Sequence, residues 1–516
     1  MKAIHTKSII IGIATIVCLS CAPSTKETKA NTSLSFDETH YEEATLKTPF
    51  GEEIRFRAYT GLYYVENVED SAYQFLNVFV PEGATQQTPI FMRNYVGGYM
   101  AAAPRFPDMN DATGRALQEG YVVVIPGVRG RNSTVTNEQG ETVYTGKAPK
   151  AILDLKAAVR YLRLFDDKMP GDAEKIITDG TSAGGAMSAL QGATADDPMY
   201  DSLLKEMGTA PTSDKVFASV CYCPIIDLDH ADAAYEWLYG NTSHQQRQSL
   251  YMESWVSIHL REEFVKYIDS LNLQKPNGEP LTSENYLGYI EELLIASAQK
   301  AKDSGADIPD SIGFSFSSTA GFAAPVNGQI PGMNNSRENP TIGEQQHRQP
   351  NFVNRRRQQG DAIIALDMKK YLEYVASTQP LKPCPAFDNL GVVGKTGTGE
   401  NDLFGDASGS KANFTDFALR MATGDSNAEI DSITKRNVTM MNPMPFIHKG
   451  NANIAPHWYI RHGARDRDTA FPIPINLATK LENDGYDVNF ELPWNRPHSG
   501  DYALNDLFEW IKEITK

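Results

Sequence analysis

Cysteine is scarce in this chain, with five in 516 residues. That excludes a scaffold built on disulfides. Positive charge is in deficit: Lys+Arg total 48 against Asp+Glu 65, a net charge of −17. A surface that acidic repels phosphate backbones, so nucleic acid is excluded as a partner. Internal repeats are absent. With 41% hydrophobic, 10% aromatic and 22% charged residues, the composition is that of a globular protein. It is not that of a disordered, collagenous or multi-span membrane chain. The length allows roughly two to four domain-sized units, or one large domain carrying an insertion.

The start of the chain, MKAIHTKSIIIGIATIVCLSC, joins Lys2 and Lys7 to an apolar or small-residue run from Ile9 to Leu19. That run is short for a bilayer span and suits a signal peptide over 1–20. Leu19-Ser20-Cys21 resembles a bacterial lipoprotein cleavage box, with Cys18 where leucine is usual. The resemblance implies lipid attachment at Cys21 and a protein exported from a bacterial cell and anchored to a membrane only through that lipid. Secretion with cleavage near Ala22 is the alternative. Residues 21–43 are expected to be a tether. Cys221, Cys223 and Cys384 would remain as buried free thiols. Cys221 and Cys223, two apart on an expected strand, would share a face.

From about residue 44, strand-like and helix-like segments alternate. TLKTPF and IRFRAY suggest early antiparallel strands, and FLNVFVPE and PIFMRNYV two more. GYVVVIPGV (120–128) is a nearly continuous apolar run, as in a strand buried on both faces. AILDLKAAVRYLR (151–163) has helical spacing. EKIITDG, a small-residue helix, and VFASVCYCPI continue the rhythm. This pattern predicts an α/β fold with a mostly parallel sheet flanked by helices. It runs through 44–228, gives way over 229–440 to an expected lid insertion, and resumes over 441–516. An insertion there would cover the C-terminal sheet edge, where ligands bind in open α/β folds.

Gly180-Thr181-Ser182-Ala183-Gly184 is a G-x-S-x-G pentapeptide. Alone it is a weak signal, and its plain reading is a turn between strand and helix. Its setting, a buried strand before and a small-residue helix after, is that of a nucleophile elbow. A serine hydroxyl needs a base to take its proton. On α/β-hydrolase sheets the chain order is serine, acid, histidine. His498, after the last expected strand, fits the base. His457 and His462 suit structural roles. In RHGARDRD, Asp466 is the favoured acid and Asp468 the second candidate, each able to pair with Arg465 or Arg467. The tetrahedral intermediate needs two N–H donors. Ala183 would supply one, and Gly97 or Gly98 in NYVGGY the other. Gly394-Lys395-Thr396 is not a phosphate loop, because Asn389 stands where the first glycine is required. The arginine cluster at 348–357 reads as a solvated loop.

GTSAGG, CPIIDLDHADAAYEW, PAFD, RHGARDRDT and LPWNRPHSGDY together resemble the bacterial tannases (tannin acyl hydrolases) and their feruloyl-esterase-like relatives. The resemblance runs from about residue 60 to 516. It implies an α/β-hydrolase core with a large lid and cleavage of galloyl esters, with no cofactor and no metal. It carries the triad to Ser182, Asp466 and His498, and ring-hydroxyl contacts to Lys382, Glu400 and Asp468. Its partner would be a small phenolic ester. A feruloyl or acetyl esterase or a peptidase on the same fold is one alternative. A surface lipoprotein that binds aromatic glycosides without turnover is another.

Overall fold

The computed structural model describes residues 33–242, 254–317, 362–392, 394 and 396–516. The expected signal segment, Cys21, Lys395 and the arginine cluster lie outside these. Among the described residues no helix is long and apolar enough to cross a membrane.

Among the described residues thirteen strands form. They are β1 (Glu42–Lys47), β2 (Glu53–Tyr63), β3 (Phe75–Pro81), β4 (Pro89–Asn94), β5 (Val122–Pro126), β6 (Thr134–Thr136) and β7 (Thr142–Tyr144). After them come β8 (Asp172–Thr181), β9 (Ala218–Tyr222), β10 (Phe314–Phe316), β11 (Ile363–Leu366), β12 (His457–Arg461) and β13 (Asp487–Glu491). Nine of them make one sheet in the order β1-β2-β3-β5-β4-β8-β9-β12-β13. β1, β2, β3 and β5 pair antiparallel, and β5, β4, β8, β9, β12 and β13 pair parallel. The central strands β5 and β9 are buried throughout, as continuous apolar runs in a sheet covered on both faces must be.

Helices cover both faces. α1 (Ala112–Gln118), α2 (Lys150–Leu164), α3 (Ala183–Ala193) and α4 (Pro198–Glu206) precede β9. α12 (Pro472–Asp484) and α13 (Leu504–Ile514) frame β13. Between Tyr222 and His457 the chain leaves the sheet. It forms α5 (Leu228–Tyr239), α6 (Ser254–Ser270), α7 (Tyr286–Asp303), α8 (Met368–Thr378), α9 (Gly399–Leu403), α10 (Asp416–Thr423) and α11 (Ser432–Met440). This excursion is packed onto the sheet: Tyr235, Tyr286, Leu294, Tyr371 and Phe387 share one buried cluster with Val78, Ile176 and Trp458. The other face is a smaller cluster under α1 and α13. Exit and return are tied together, since Asn442 Nδ2 donates to Asp227 Oδ1 at 2.8 Å.

Two expectations need correction. The tether does not extend to residue 43. Leu34 and Phe36 pack on the core, Tyr161 donates to Ser35 O at 2.6 Å, and β1 starts at Glu42. Alternating apolar residues in SLSF give that segment a face to bury. Cys223 also does not share a strand face with Cys221. β9 ends at Tyr222, and Cys223 takes φ 45°. Cys221, Cys223 and Cys384 are buried free thiols.

Candidate active site

β8 stops at Thr181 and α3 begins at Ala183. Ser182 between them has φ 62° and ψ −123°, a strained conformation for a residue with a Cβ. Its surroundings over-determine it. Ser182 N donates to Tyr222 O at 2.9 Å, and Ala186 N donates to Ser182 O at 3.0 Å. The turn is so tight that a Cβ on Gly180 would lie 2.2 Å from Gly184 O. Ala183, the first residue of α3, has no helical acceptor for its N–H. In the turn after β4, Gly98 and Tyr99 both have positive φ, and Met100 N donates to Gly97 O at 3.0 Å. A Cβ on Gly97 or Gly98 would meet nothing within 4 Å, so both border open space.

Asp466 follows β12 and is fully buried. Its Oδ2 is 2.7 Å from His498 Nδ1, and its Oδ1 accepts from Asp468 N at 2.8 Å. Burial opposes the Asp466 carboxylate. His462, His498 and the Asp468 N–H outweigh it and hold the pKa down at about 2. Burial also opposes the His498 imidazolium, but the Asp466 bond and charge prevail and raise its pKa above the usual 6.5. Asp468 adds to that rise, and Lys382 works against it. The two acid candidates differ in geometry. Asp468 Oδ2 lies 4.0 Å from His498 Nδ1 and its other oxygen pairs with Arg467 at 2.8 Å. His462 is buried behind Asp466, 3.6 Å from Oδ2, and burial lowers its pKa. His457 pairs with Asp487 at the sheet edge.

The His498 loop is seated close to the elbow. A Cβ on Gly500 would fall 1.8 Å from Thr181 Oγ1, so only glycine fits there. Cys223 Sγ donates to Ser499 O at 3.2 Å.

Lys382 feels the charges of Glu400 and Asp468. Burial pushes the Lys382 pKa down, and the carboxylates opposing that shift are Glu400, Asp468 and Asp232 in that order. The Lys382 ammonium lies 3.9 Å from the centre of the Phe387 ring. Sequence reasoning missed the residues that hold this group. Tyr235 OH accepts from Lys382 N at 3.0 Å and donates to Arg467 O at 2.9 Å, linking two distant segments. Asp232 accepts from Phe387 N and Asp388 N at 2.7 and 2.9 Å. Asp388 accepts from Asn401 Nδ2, Asn413 Nδ2, Phe414 N and Thr415 N. That fixes α9, on which Glu400 sits. Arg131 joins α9 to the glycine turn, donating to Gly98 O and to Asp402 Oδ2, both at 2.8 Å. The only sequence signal for these roles was the clustering of Asp and Tyr in DLDHADAAYEW.

The family model described as BD-FAE matches residues 76–281. A 58-residue stretch is 48% identical to "Esterase LipC" of Mycobacterium tuberculosis, spanning 11% of this chain and 14% of that one. Solved structures match over far more. The Fusobacterium nucleatum tannase superposes with a TM-score of 0.77 at 33% identity, covering 94% of this chain and 100% of its own. The native tannin acyl hydrolase from Lactobacillus plantarum gives 0.76 at 34% identity, over 94% and 99%. A tannin acyl hydrolase in complex with ethyl gallate gives the same values. The chain belongs to the bacterial tannase (tannin acyl hydrolase) family, and with it to the carboxylic ester hydrolases built on the α/β-hydrolase fold.

Proposed function

We propose that this esterase cleaves galloyl or closely related phenolic esters through an acyl-enzyme on Ser182. The observation that carries the reading is the Asp466–His498 bond of 2.7 Å, set beside the Ser182 elbow. With Nδ1 turned to Asp466, Nε2 of His498 is the nitrogen left to take the Ser182 proton. Ser182 Oγ bonds to the ester carbonyl carbon. The resulting oxyanion is met by the N–H of Ala183 and one from the Gly97–Gly98 pair. Collapse breaks the ester C–O bond, and the alcohol leaves with the proton from His498. Water, activated by the same nitrogen, then releases the acid and restores Ser182.

The ring is the specificity element. A galloyl ring presents three adjacent hydroxyls, and Lys382, with the Glu400 and Asp468 charges acting on it, supplies a cation and two carboxylates to pair with them. A ring lacking hydroxyls forfeits the charge-assisted hydrogen bonds that these groups would make to it, at about 1–3 kcal/mol each. That magnitude compounds to discrimination on the order of a hundredfold or more. The ethyl gallate complex of a relative is consistent with this reading.

The test is hydrolysis of methyl gallate, ethyl ferulate, an acetyl ester and a peptide amide by the wild-type protein, Ser182→Ala and Lys382→Met. Expected are a preference for gallate, a loss of about 10⁵-fold or more in kcat for Ser182→Ala, and a selective loss on gallate for Lys382→Met. Turnover surviving in Ser182→Ala would sink the mechanism. Ferulate preferred over gallate would sink the ring assignment.

A further inference from the structure

We infer that Arg93, with Asp179 and Asp501, is a positioning device that sets the His498 loop against the Ser182 elbow. The inference rests on the Ser182–His498 reading above and names residues that touch neither substrate nor the reacting atoms. Arg93 lies in β4, just before the glycine turn. Asp179 lies in β8, three residues before Ser182. Asp501 lies three residues after His498. One guanidinium joins all three segments: Nη1 donates to Asp179 Oδ2, and Nη2 donates to Asp501 Oδ2 at 2.7 Å. The other oxygen of Asp501 accepts from Ala112 N, the first residue of α1, at 3.1 Å. The side chains of Arg93 and Asp179 are 5% and 0% exposed, and that of Asp501 is 23% exposed.

Such a cluster is a poor device for stability. It puts two carboxylates against one cation. Among the described residues, Arg93 Nε and Asp179 Oδ1 have no hydrogen-bond partner. Burial pushes the Asp179 carboxyl up to about 6, with Arg93 opposing. Buried ion clusters are often matched or bettered by apolar side chains of similar volume, so their best-attested use is to fix register. Register is what this loop needs. Asp501 and Ala503 both hold positive φ, at 55° and 51°, conformations that persist only when the surroundings impose them. The loop is pinned at four points: His498 by Asp466, Ser499 by Cys223, Asp501 by Arg93, and Tyr502, whose carbonyl accepts from Tyr222 OH at 2.9 Å. The other anchors come from the end of β9 and from the segment after β12, on the acid side of the nucleophile strand. Arg93 is the anchor on β4, the neighbour of the nucleophile strand on its opposite side. Arginine is suited to this, because its fork spans two carboxylates where a lysine point charge does not.

The test is steady-state hydrolysis of methyl gallate by Asp501→Asn in the full chain, beside Asp501→Glu, Arg93→Lys and Ser182→Ala. The expected result for Asp501→Asn is a kcat about 10–100-fold lower, the scale of a misplacement near 1 Å, with KM within about twofold. Asp501→Glu restores the charge and recovers part of kcat. Arg93→Lys behaves like Asp501→Asn. If Asp501→Asn yields no folded protein, Asp501→Glu carries the test, with a smaller fall in kcat at unchanged KM. A folded Asp501→Asn with wild-type kcat, or one that loses only KM, overturns the inference. Inactive Ser182→Ala beside wild-type-like Asp501→Asn overturns the positioning role alone. Active Ser182→Ala overturns the serine reading and this inference with it.

Discussion

The two halves of the candidate site are built by different physics. Ser182, Asp466 and His498 hang from the ends of β8, β12 and β13, parallel neighbours on either side of β9. Their spacing is set by the sheet, because adjacent strands fix where their following loops emerge. Of Lys382, Glu400 and Asp468, only Asp468 shares that frame, two residues after Asp466 in the loop that follows β12. Lys382 and Glu400 belong to the excursion between Tyr222 and His457, where short helices and turns carry little register of their own. Their placement depends on buried polar hubs, chiefly Asp232, Asp388 and Tyr235. On the proposed function, the comparison teaches that bond making falls to the part of the molecule with a repeating frame. Substrate choice then falls to the part that hydrogen bonds must assemble one contact at a time.

The largest expected effect would break that division if it failed. Asp466→Asn keeps the shape of the sheet-borne half but upsets the tautomer and charge that His498 requires. The expected loss is about 10⁴-fold in kcat on methyl gallate, with KM little changed. Steady-state kinetics decide it; a rise in KM at wild-type kcat would show that this carboxylate binds the ring and that the halves are not separate.

Next in size is Asp388→Ala, which strips the excursion of the acceptor for Asn401, Asn413, Phe414 and Thr415. Leaving those donors unpaired in the interior costs about 3–5 kcal/mol of stability. With α9 loosened, KM for methyl gallate is expected to rise about tenfold, with kcat less affected. Denaturant midpoints and steady-state constants on the same preparation check both. A folded variant with unaltered KM would mean that Glu400 is held by something other than this hub.

The same division explains what was legible in the sequence. G-x-S-x-G between a buried strand and a small-residue helix, and an acid and a histidine after the last two strands, are local signals. Those strands and helices formed within a few residues of where their apolar periodicity put them. The ring set was reached only by resemblance, since nothing in LKPCPAFD alone says that Lys382 faces Asp468. The hubs and the Arg93 cluster were not legible at all. Arg93 and Asp501 are 408 positions apart, and a contact of that range leaves no periodicity behind. The short helices α1 and α4 leave little trace in the sequence pattern, although Asp111 and Asp197 cap them. At seven and nine residues, they are too short for periodicity to stand out, and the capping residue is their main signal.

The junction between the halves provides the smallest and most specific test. His230 Nδ1 is 2.8 Å from Asp227 Oδ1, its ring stacks on Tyr267 at 3.6 Å, and Asn442 bridges Asp227 and Asp229. Exit, return and α6 thus meet at one imidazole. Burial opposes its charge, but Asp227 and then Asp229 outweigh it and raise its pKa from 6.5 to about 9. A raised folded-state pKa means that the contribution is fully present below pH 6.5 and fades as pH climbs through about 9. His230→Gln is therefore expected to lower Tm at pH 6 by about 1–2 °C, the scale of a partly solvent-screened ion pair. At pH 9.5 the difference should vanish, with kcat/KM at pH 7 within about twofold throughout. A Tm loss of equal size at both pH values would assign the junction to ring stacking alone, and the two halves would then be joined by packing and not by charge.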